Sequence, residues 1–224
     1  MTDVIKVGGM VRFSLLDYPG AISAVVFCQG CPNRCVYCHN PEFQDYRKST
    51  DIQFGVIERY LAERKGLIDA VVFSGGEPLV QRGLSEAITY VKGYGYKVGL
   101  HTSGISEEAL KMIIGCIDWI GLDIKAPPKK YKLVAGNDIG GEAYKCLDMI
   151  LRAGTAHEVR TTYDSSIMNE EDLKTIIDEL GRAGEKAWVI QRCNKYKNNR
   201  IEMMSGPSGK FIQEARTHID IRVR

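Results

Sequence analysis

The sequence predicts an α/β protein built on a parallel sheet. Short apolar, β-branched runs alternate with amphipathic helical patterns about six times along the chain, the signature of strands joined by right-handed helical crossovers. Each apolar run also ends in a polar or thiol-bearing stretch. Such a chain forms either an open doubly wound sheet or a partial barrel. In both, the chemistry gathers at the C-terminal ends of the strands.

The elements follow in order. Ala24-Val25-Val26-Phe27 reads as a strand. Residues 51–65 place Ile52, Val56, Ile57, Tyr60 and Leu61 at helical spacing, with Ser49, Thr50 and Asp51 available to cap the start. Ala70-Val71-Val72-Phe73 is the next strand, followed by a helix over about 80–92 and a strand at Lys97-Val98-Gly99-Leu100. Ser106 followed by Glu107 and Glu108 opens another helix, since a hydroxyl cap and early acidic residues both satisfy a helix N-terminus. A strand runs from Trp119 to Ile124, then a helix over about 140–152 that Gly154 stops. Glu158 to Thr162 is a strand, 169–182 a helix starting at Asn169 and ending before Gly184, and Ala187 to Gln191 the sixth strand. The stretch SGPSGKFIQEARTHIDIRVR adds a helix and a final strand, and Lys195, Lys197 and Arg200 read as a solvated loop. These form a single domain over 1–224, with a core of about 20–192 and a C-terminal extension of 193–224.

The 224 residues suffice for a sizeable core, and 44% hydrophobic with 26% charged residues is ordinary for a globular protein. A net charge of +2 is too weak to argue for nucleic acid or an anionic membrane. No apolar run approaches the roughly 20 residues of a membrane helix, and MTDVIKVGGMVRF lacks the apolar core of a signal peptide. A cytoplasmic location, where thiols stay reduced, is expected. Four of the seven cysteines cluster at positions 28, 31, 35 and 38, which favours metal binding over disulfides. Cys116 and Cys146 sit in apolar contexts, where a buried thiol acts as a small hydrophobe.

The clustered thiols are spaced C-x2-C-x3-C-x2-C in CQGCPNRCVYC. Thiolates are soft ligands that suit zinc or iron–sulfur clusters. Zinc sites usually separate two pairs by a longer span, whereas ordinary iron–sulfur sites take four thiolates. Cys28 continues a strand, so its side chain belongs to the pleat, while Cys31, Cys35 and Cys38 lie beyond Gly30, where the chain can turn. The loop alone leaves open three ligands or four.

The other strand ends are read against the same alternatives. Gly75 and Gly76 let backbone approach a ligand, and Glu77 offers a carboxylate to a cation; the bland alternative is a turn with Pro78 at the first helical position. Thr102 and Ser103, after His101, suit a ribose or a carboxylate, or form a plain loop. Asp123 and Lys125 alternate to one side, so they pair or hold a ligand. Arg160 reaches a carboxylate or makes a rim salt bridge. His39 is not read as a ligand, and Asn40 fixes the loop through backbone contacts.

Cys31, Cys35 and Cys38 with Tyr37 spell C-x3-C-x-aromatic-C, and Gly75-Gly76-Glu77-Pro78 follows the next strand. In these motifs the chain resembles the radical S-adenosylmethionine (radical SAM) superfamily. The resemblance implies a partial (β/α)6 TIM-like barrel and a [4Fe–4S] cluster held by Cys31, Cys35 and Cys38. It implies S-adenosylmethionine (SAM) on the fourth iron, with Cys28 a spare core thiol. Gly75, Gly76 and Glu77 would contact the methionyl end of SAM, and Tyr37, Asn40, Thr102, Ser103, Asp123, Lys125 and Arg160 complete the implied cofactor-binding set.

The block from Gly8 to Gly20, with Asp17-Tyr18-Pro19-Gly20, and the His39-Asn40-Pro41-Glu42 after the cysteines are similar to the glycyl-radical-enzyme activating family. Within it, VRTTY at 159–163 and WVIQR at 188–192 resemble the longer anaerobic ribonucleoside-triphosphate reductase activating proteins. The resemblance covers about residues 8–192. It implies one-electron reduction by flavodoxin or ferredoxin, and cleavage of SAM to methionine and a 5′-deoxyadenosyl radical. A hydrogen atom is then taken from a glycine of a partner glycyl radical enzyme. Asp17 and the 14–20 loop are candidates for contacting the partner loop that carries that glycine. Some activases carry an aspartate for a monovalent cation where this chain has His101, which cannot serve as that anionic ligand. The three scattered cysteines argue against a second cluster. The competing readings are a radical SAM enzyme acting on a small molecule, such as a deazaguanine synthase, a four-cysteine electron-transfer protein, or a structural zinc domain.

Overall fold

The computed structural model describes residues 4–48, 52–197 and 200–224, with backbone alone at 195–197 and 200–202. Its strands are β1 Val7–Ser14, β2 Ser23–Cys28, β3 Ala70–Gly75, β4 Lys97–Thr102, β5 Trp119–Asp123, β6 His157–Tyr163, β7 Ala187–Arg192, β8 Asn194–Lys197, β9 Arg200–Met203 and β10 Asp220–Val223. Its α-helices are α1 Phe54–Glu63, α2 Leu84–Gly93, α3 Glu107–Ile113, α4 Tyr131–Ala135, α5 Gly140–Ala153, α6 Glu170–Ala183 and α7 Gly209–Ala215.

Eight strands form one sheet in the order β1-β2-β3-β4-β5-β6-β7-β10. From β2 to β7 each strand pairs in parallel with its successor, and β10 adds to β7 in parallel. Sequential parallel neighbours are the order of a β/α barrel. β1 pairs antiparallel with β2, and the sheet stays open between β1 and β10, so the fold is a partial barrel. All six predicted strands and the expected final helix and strand are present. The solvated loop expected at Lys195, Lys197 and Arg200 is instead the antiparallel hairpin β8–β9. The capping expected from Ser49, Thr50 and Asp51 lies outside the described residues, and α1 begins after Gln53, whose side chain makes no cap.

The helix termini follow local chemistry. Ser106 Oγ accepts from Ala109 N at 3.1 Å, and Asn169 forms a reciprocal capping box with Asp172. Gly154 and Gly184 end α5 and α6 in the left-handed region, at φ 66° and 88°, where a glycine meets no Cβ penalty.

Two apolar layers result from strand alternation. Ala24, Val26, Cys28, Val71 and Phe73 face the helices, packing with Ile57 and Leu61 of α1 and Ile88 of α2. Val25, Ala70, Val72 and Trp119 face the barrel interior, where Tyr18 fills the space between them. Gly99 makes room for that ring, since a Cβ there would stand 3.1 Å from Tyr18 and 3.0 Å from Val72. Tyr18 thereby anchors the segment between β1 and β2 against the barrel interior. Cys146 is buried as expected, but Cys116 is exposed: it closes a short 3-10 turn after α3, outside the core.

Candidate active site

The loop after β2 is fixed by backbone on both sides. Gly30 N donates to Phe43 O at 2.8 Å and Cys31 N to Gln44 O at 3.2 Å. On the other side Arg34 N donates to Ala135 O at 2.7 Å and Val36 N to Val134 O at 3.1 Å, so the C-terminal carbonyls of α4 hold the loop. Arg34 folds back to donate to the carbonyls of Cys31 and Asn33. These bonds occupy the backbone and leave the thiols of Cys31, Cys35 and Cys38 facing one open cavity of about 590 Å³. Cys28 does not line it. It is fully buried among the helix-side residues.

The cavity sits at the C-terminal ends of the parallel strands. Besides the three thiols, it is lined by Tyr37 and Asn40, by Gly75, Gly76 and Glu77 after β3, by His101, Thr102 and Ser103 at the end of β4, by Asp123 and Lys125, by Arg160 and Thr162 of β6, and by Gln191 of β7. Every residue of the implied cluster and cofactor-binding set therefore lines this one cavity. Thr161 does not, because alternation turns it outward, where its hydroxyl donates to Ile124 O at 2.7 Å.

The glycines after β3 have a specific reason. A Cβ at Gly76 would lie 2.4 Å from Gly30 O and 2.7 Å from Phe43 O, and one at Gly75, at φ +100°, 2.6 Å from Cys28 N. Glycine there lets the chain lie against the cysteine loop, bonded through Gly76 N to Cys28 O and Glu77 N to Gly30 O, both at 2.9 Å. Glu77 is buried and accepts four hydrogen bonds: from Leu79 N (3.1 Å) and Thr102 Oγ1 (2.6 Å) on one oxygen, and from Ser103 N (2.9 Å) and Ser103 Oγ (2.6 Å) on the other. It joins the ends of β3 and β4. Asn33 Nδ2 donates to Ser103 Oγ at 3.0 Å and ties the cysteine loop to the same network. Asn33 was not legible in the sequence, since its role exists only once the loop and β4 meet.

On the opposite wall Asp123 accepts from Lys125 Nζ and from Arg160 Nε, both at 2.8 Å. The two cations hold its carboxyl well below the usual carboxylate range. Gly121 admits the guanidinium, because a Cβ there would lie 2.8 Å from three of its atoms. Two cations on one carboxylate leave this wall positive. His101 is half-buried; desolvation and the nearby Arg160 lower its pKa to about 4, and as the neutral ring it donates from Nε2 to Asp17 O at 2.9 Å.

The residues fit a cluster and a zwitterionic ligand. Burial and the Glu77 carboxylate push the Cys31 thiol up to about 12, and burial raises Cys35 as well. Bare thiolates are thus disfavoured, and iron would supply the positive charge that deprotonates them. Asn33 Oδ1 and the Tyr37 hydroxyl are buried polar atoms at the cavity with no protein partner. The volume lies within the roughly 300–1,000 Å³ of ligand sites.

Comparison with known proteins agrees. The family model "Radical SAM superfamily" matches residues 25–186. A protein of Methanocaldococcus jannaschii, provisionally assigned as a glycyl-radical enzyme activating enzyme, is 33% identical over 207 residues, covering 88% of this chain and 80% of its own. The pyruvate formate-lyase-activating enzyme of Clostridium pasteurianum is 29% identical over 210 residues, covering 88% of this chain and 87% of its own. Among solved structures, SuiB of Streptococcus suis bound to its precursor peptide SuiA matches the fold with a TM-score of 0.68 at 12% identity, over 89% of this chain. This chain spans about half of that protein's length, 48%. An open parallel barrel with three cavity-facing thiols defines a class of cluster-dependent enzyme. The chain belongs to the radical SAM superfamily, whose cofactors are a [4Fe–4S] cluster and SAM.

Proposed function

We propose that this protein is a glycyl-radical-enzyme activating enzyme, which removes a hydrogen atom from a glycine backbone of a partner protein. The observation that carries this reading is the 33% identity to an activating-enzyme relative across most of both chains. The geometry is compatible with it: the cavity lining includes residues next to both edges of the open sheet, Leu16 between β1 and β2 and Arg224 after β10.

In this reading Cys31, Cys35 and Cys38 hold the cluster, and Cys28 serves only the core. When bound, the cluster and SAM supply an electron and a carbon-centred radical able to abstract hydrogen. The protein positions the reactants and limits water. Gly75 and Gly76 present backbone to the methionyl end of SAM. Glu77 orders Thr102 and Ser103 and contributes the negative charge that suits an amino group. Lys125 and Arg160, partly neutralised by Asp123, suit a carboxylate, and Tyr37 and Asn40 close the cluster side. Flavodoxin or ferredoxin is the reductant, anaerobic ribonucleotide reductase or another glycyl radical enzyme the partner, and the cytoplasm the location. Among the described residues no helix is long and apolar enough to cross a membrane. The whole chain acts as a single domain.

The test is low-temperature EPR of the anaerobically reconstituted, reduced protein with and without SAM. A four-iron signal that changes on adding SAM is expected. A signal indifferent to SAM means a closed cluster and refutes the reading.

A further inference from the structure

The turn between β1 and β2 holds two adjacent leucines in solvent, the second of them lining the cavity. Leu15 is 63% exposed and Leu16 is 90% exposed. Single exposed leucines are normal on a protein surface. Here, however, the turn is pinned beneath them. Ser14 Oγ donates to Asp17 Oδ2 at 2.5 Å and accepts from Leu16 N at 3.1 Å. Asp17 O is held by His101, and the Tyr18 ring packs in the barrel with its centroid 6.0 Å from that of Trp119. The leucines are thus fixed outward, and Leu16 lines the same cavity as the three cysteines.

The other sheet edge has the opposite character. Arg224, just after β10, also lines the cavity. Arg222 and Arg224 both pair with Glu158 on the inner face of β6, Arg222 at 3.9 Å. Two guanidiniums on one carboxylate leave a net positive charge, and the arginine side chains stay 64% and 52% exposed. β1 and β10 are the two edges of the open sheet, so the entrance has one apolar lip and one basic lip.

We propose that these lips select the sequence around the target glycine. A bulky apolar side chain on one side of it seats on Leu15 and Leu16, and an acidic side chain on the other side pairs with Arg222 and Arg224. The inference rests on the activating-enzyme reading. It follows from the continuity of both lips with the cavity and from their complementarity to such a segment.

The test uses the reconstituted enzyme with SAM, dithionite and short synthetic peptides carrying a central α,α-dideuterated glycine. One peptide has phenylalanine before the glycine and aspartate after it, and a second has the reverse order. Controls replace phenylalanine by serine or aspartate by lysine. Deuterium in 5′-deoxyadenosine reports hydrogen abstraction, and peptide-free SAM cleavage reports the cofactor site. At least one of the two matched peptides transfers deuterium, and each control loses about tenfold in kcat/KM, through KM. Leu15→Asp produces the same loss toward the phenylalanine side. Arg222→Glu reverses the preference toward the lysine peptide and weakens the salt dependence. Both variants cleave SAM without peptide as the parent does. Equal transfer from matched and control peptides, or variants that leave the preferences unchanged, overturns the lips while the activating reading stands. Transfer from no peptide while SAM is still cleaved overturns that reading, and the lips with it.

Discussion

Strand alternation separates Cys28 from the other three loop thiols, and this sets a test at single residues. Cys28 points with Ala24 and Val26 into the helix-side core, whereas Cys31, Cys35 and Cys38 lie past the strand end and face the cavity. Replacing any one of these three by alanine is expected to drop iron content after reconstitution to background. Cys28→Ala is expected to keep the full complement, at a stability cost of about 1 kcal/mol for a small buried side chain. Iron and sulfide analysis with urea unfolding reads both effects, and loss of iron in the Cys28 variant would transfer that residue to the ligand set. Gly76 allows an equally local prediction. Its missing Cβ leaves room for the carbonyls of Gly30 and Phe43, which are backbone and cannot swing aside. Gly76→Ala should therefore destabilise the protein by about 1–3 kcal/mol, as overpacking does, and lower cluster occupancy. The sequence suggested that these glycines serve ligand approach. The first approach they permit is that of the cysteine loop itself, which a motif cannot display because its other half lies more than thirty positions away.

At the scale of elements, the C-terminal ends of the strands carry the chemistry and the N-terminal ends carry stability. His157 opens β6, with Nε2 2.7 Å from Glu185 Oε2 and Nδ1 2.7 Å from Thr155 O. Both ring nitrogens face acceptors, which favours the doubly protonated imidazolium. The Glu185 bond raises the His157 pKa above 6.5, and despite desolvation His157 and two backbone amides hold Glu185 below 4.5. The signs follow from linkage. The histidine's contribution is complete below pH 6.5 and lost as pH rises through its raised folded value. The glutamate's is complete above pH 4.5 and lost as pH falls through its depressed one. The pair should thus stabilise most between those limits. His157→Gln is expected to flatten the alkaline side of the urea-midpoint profile, and an unchanged profile would remove the pair from the account. Legibility divides along similar lines. Six parallel strands were readable because buried β-branched runs look the same wherever they pack. β1 was not, since its glycines and exposed Arg12 and Phe13 give a weak pattern on an edge strand. The five-residue α4 is too short to show a period, yet it braces the cysteine loop. β8–β9 was missed because a lysine-rich stretch looks solvated whether or not its backbone pairs.

For the whole molecule, an incomplete barrel makes ligand binding and folding stability one measurement. The cavity is shared among strands from β3 to β7 and the loop after β2, so a ligand seated there contacts nearly every unit of the sheet. The positive wall at Asp123, Lys125 and Arg160 suits an anionic group, and Asn33 Oδ1 and the Tyr37 hydroxyl are buried with no hydrogen-bond partner. A ligand that binds only the folded state adds RT ln(1 + [L]/Kd), about 2.7 kcal/mol at a hundredfold excess over Kd. For a chain of this size each kcal/mol moves the midpoint by about 2–4 °C. SAM at that excess should therefore raise Tm by roughly 5–10 °C when the cluster is loaded. The shift should nearly vanish in the cluster-free protein, because in the proposed site the strand ends hold SAM together with the cluster. Differential scanning calorimetry under anaerobic conditions separates the two cases. An equal shift with and without iron would mean that the strand ends, not the thiol loop, bind SAM. No shift in the loaded protein would mean a cluster with no open corner, and Cys28 would have to leave the core to close it.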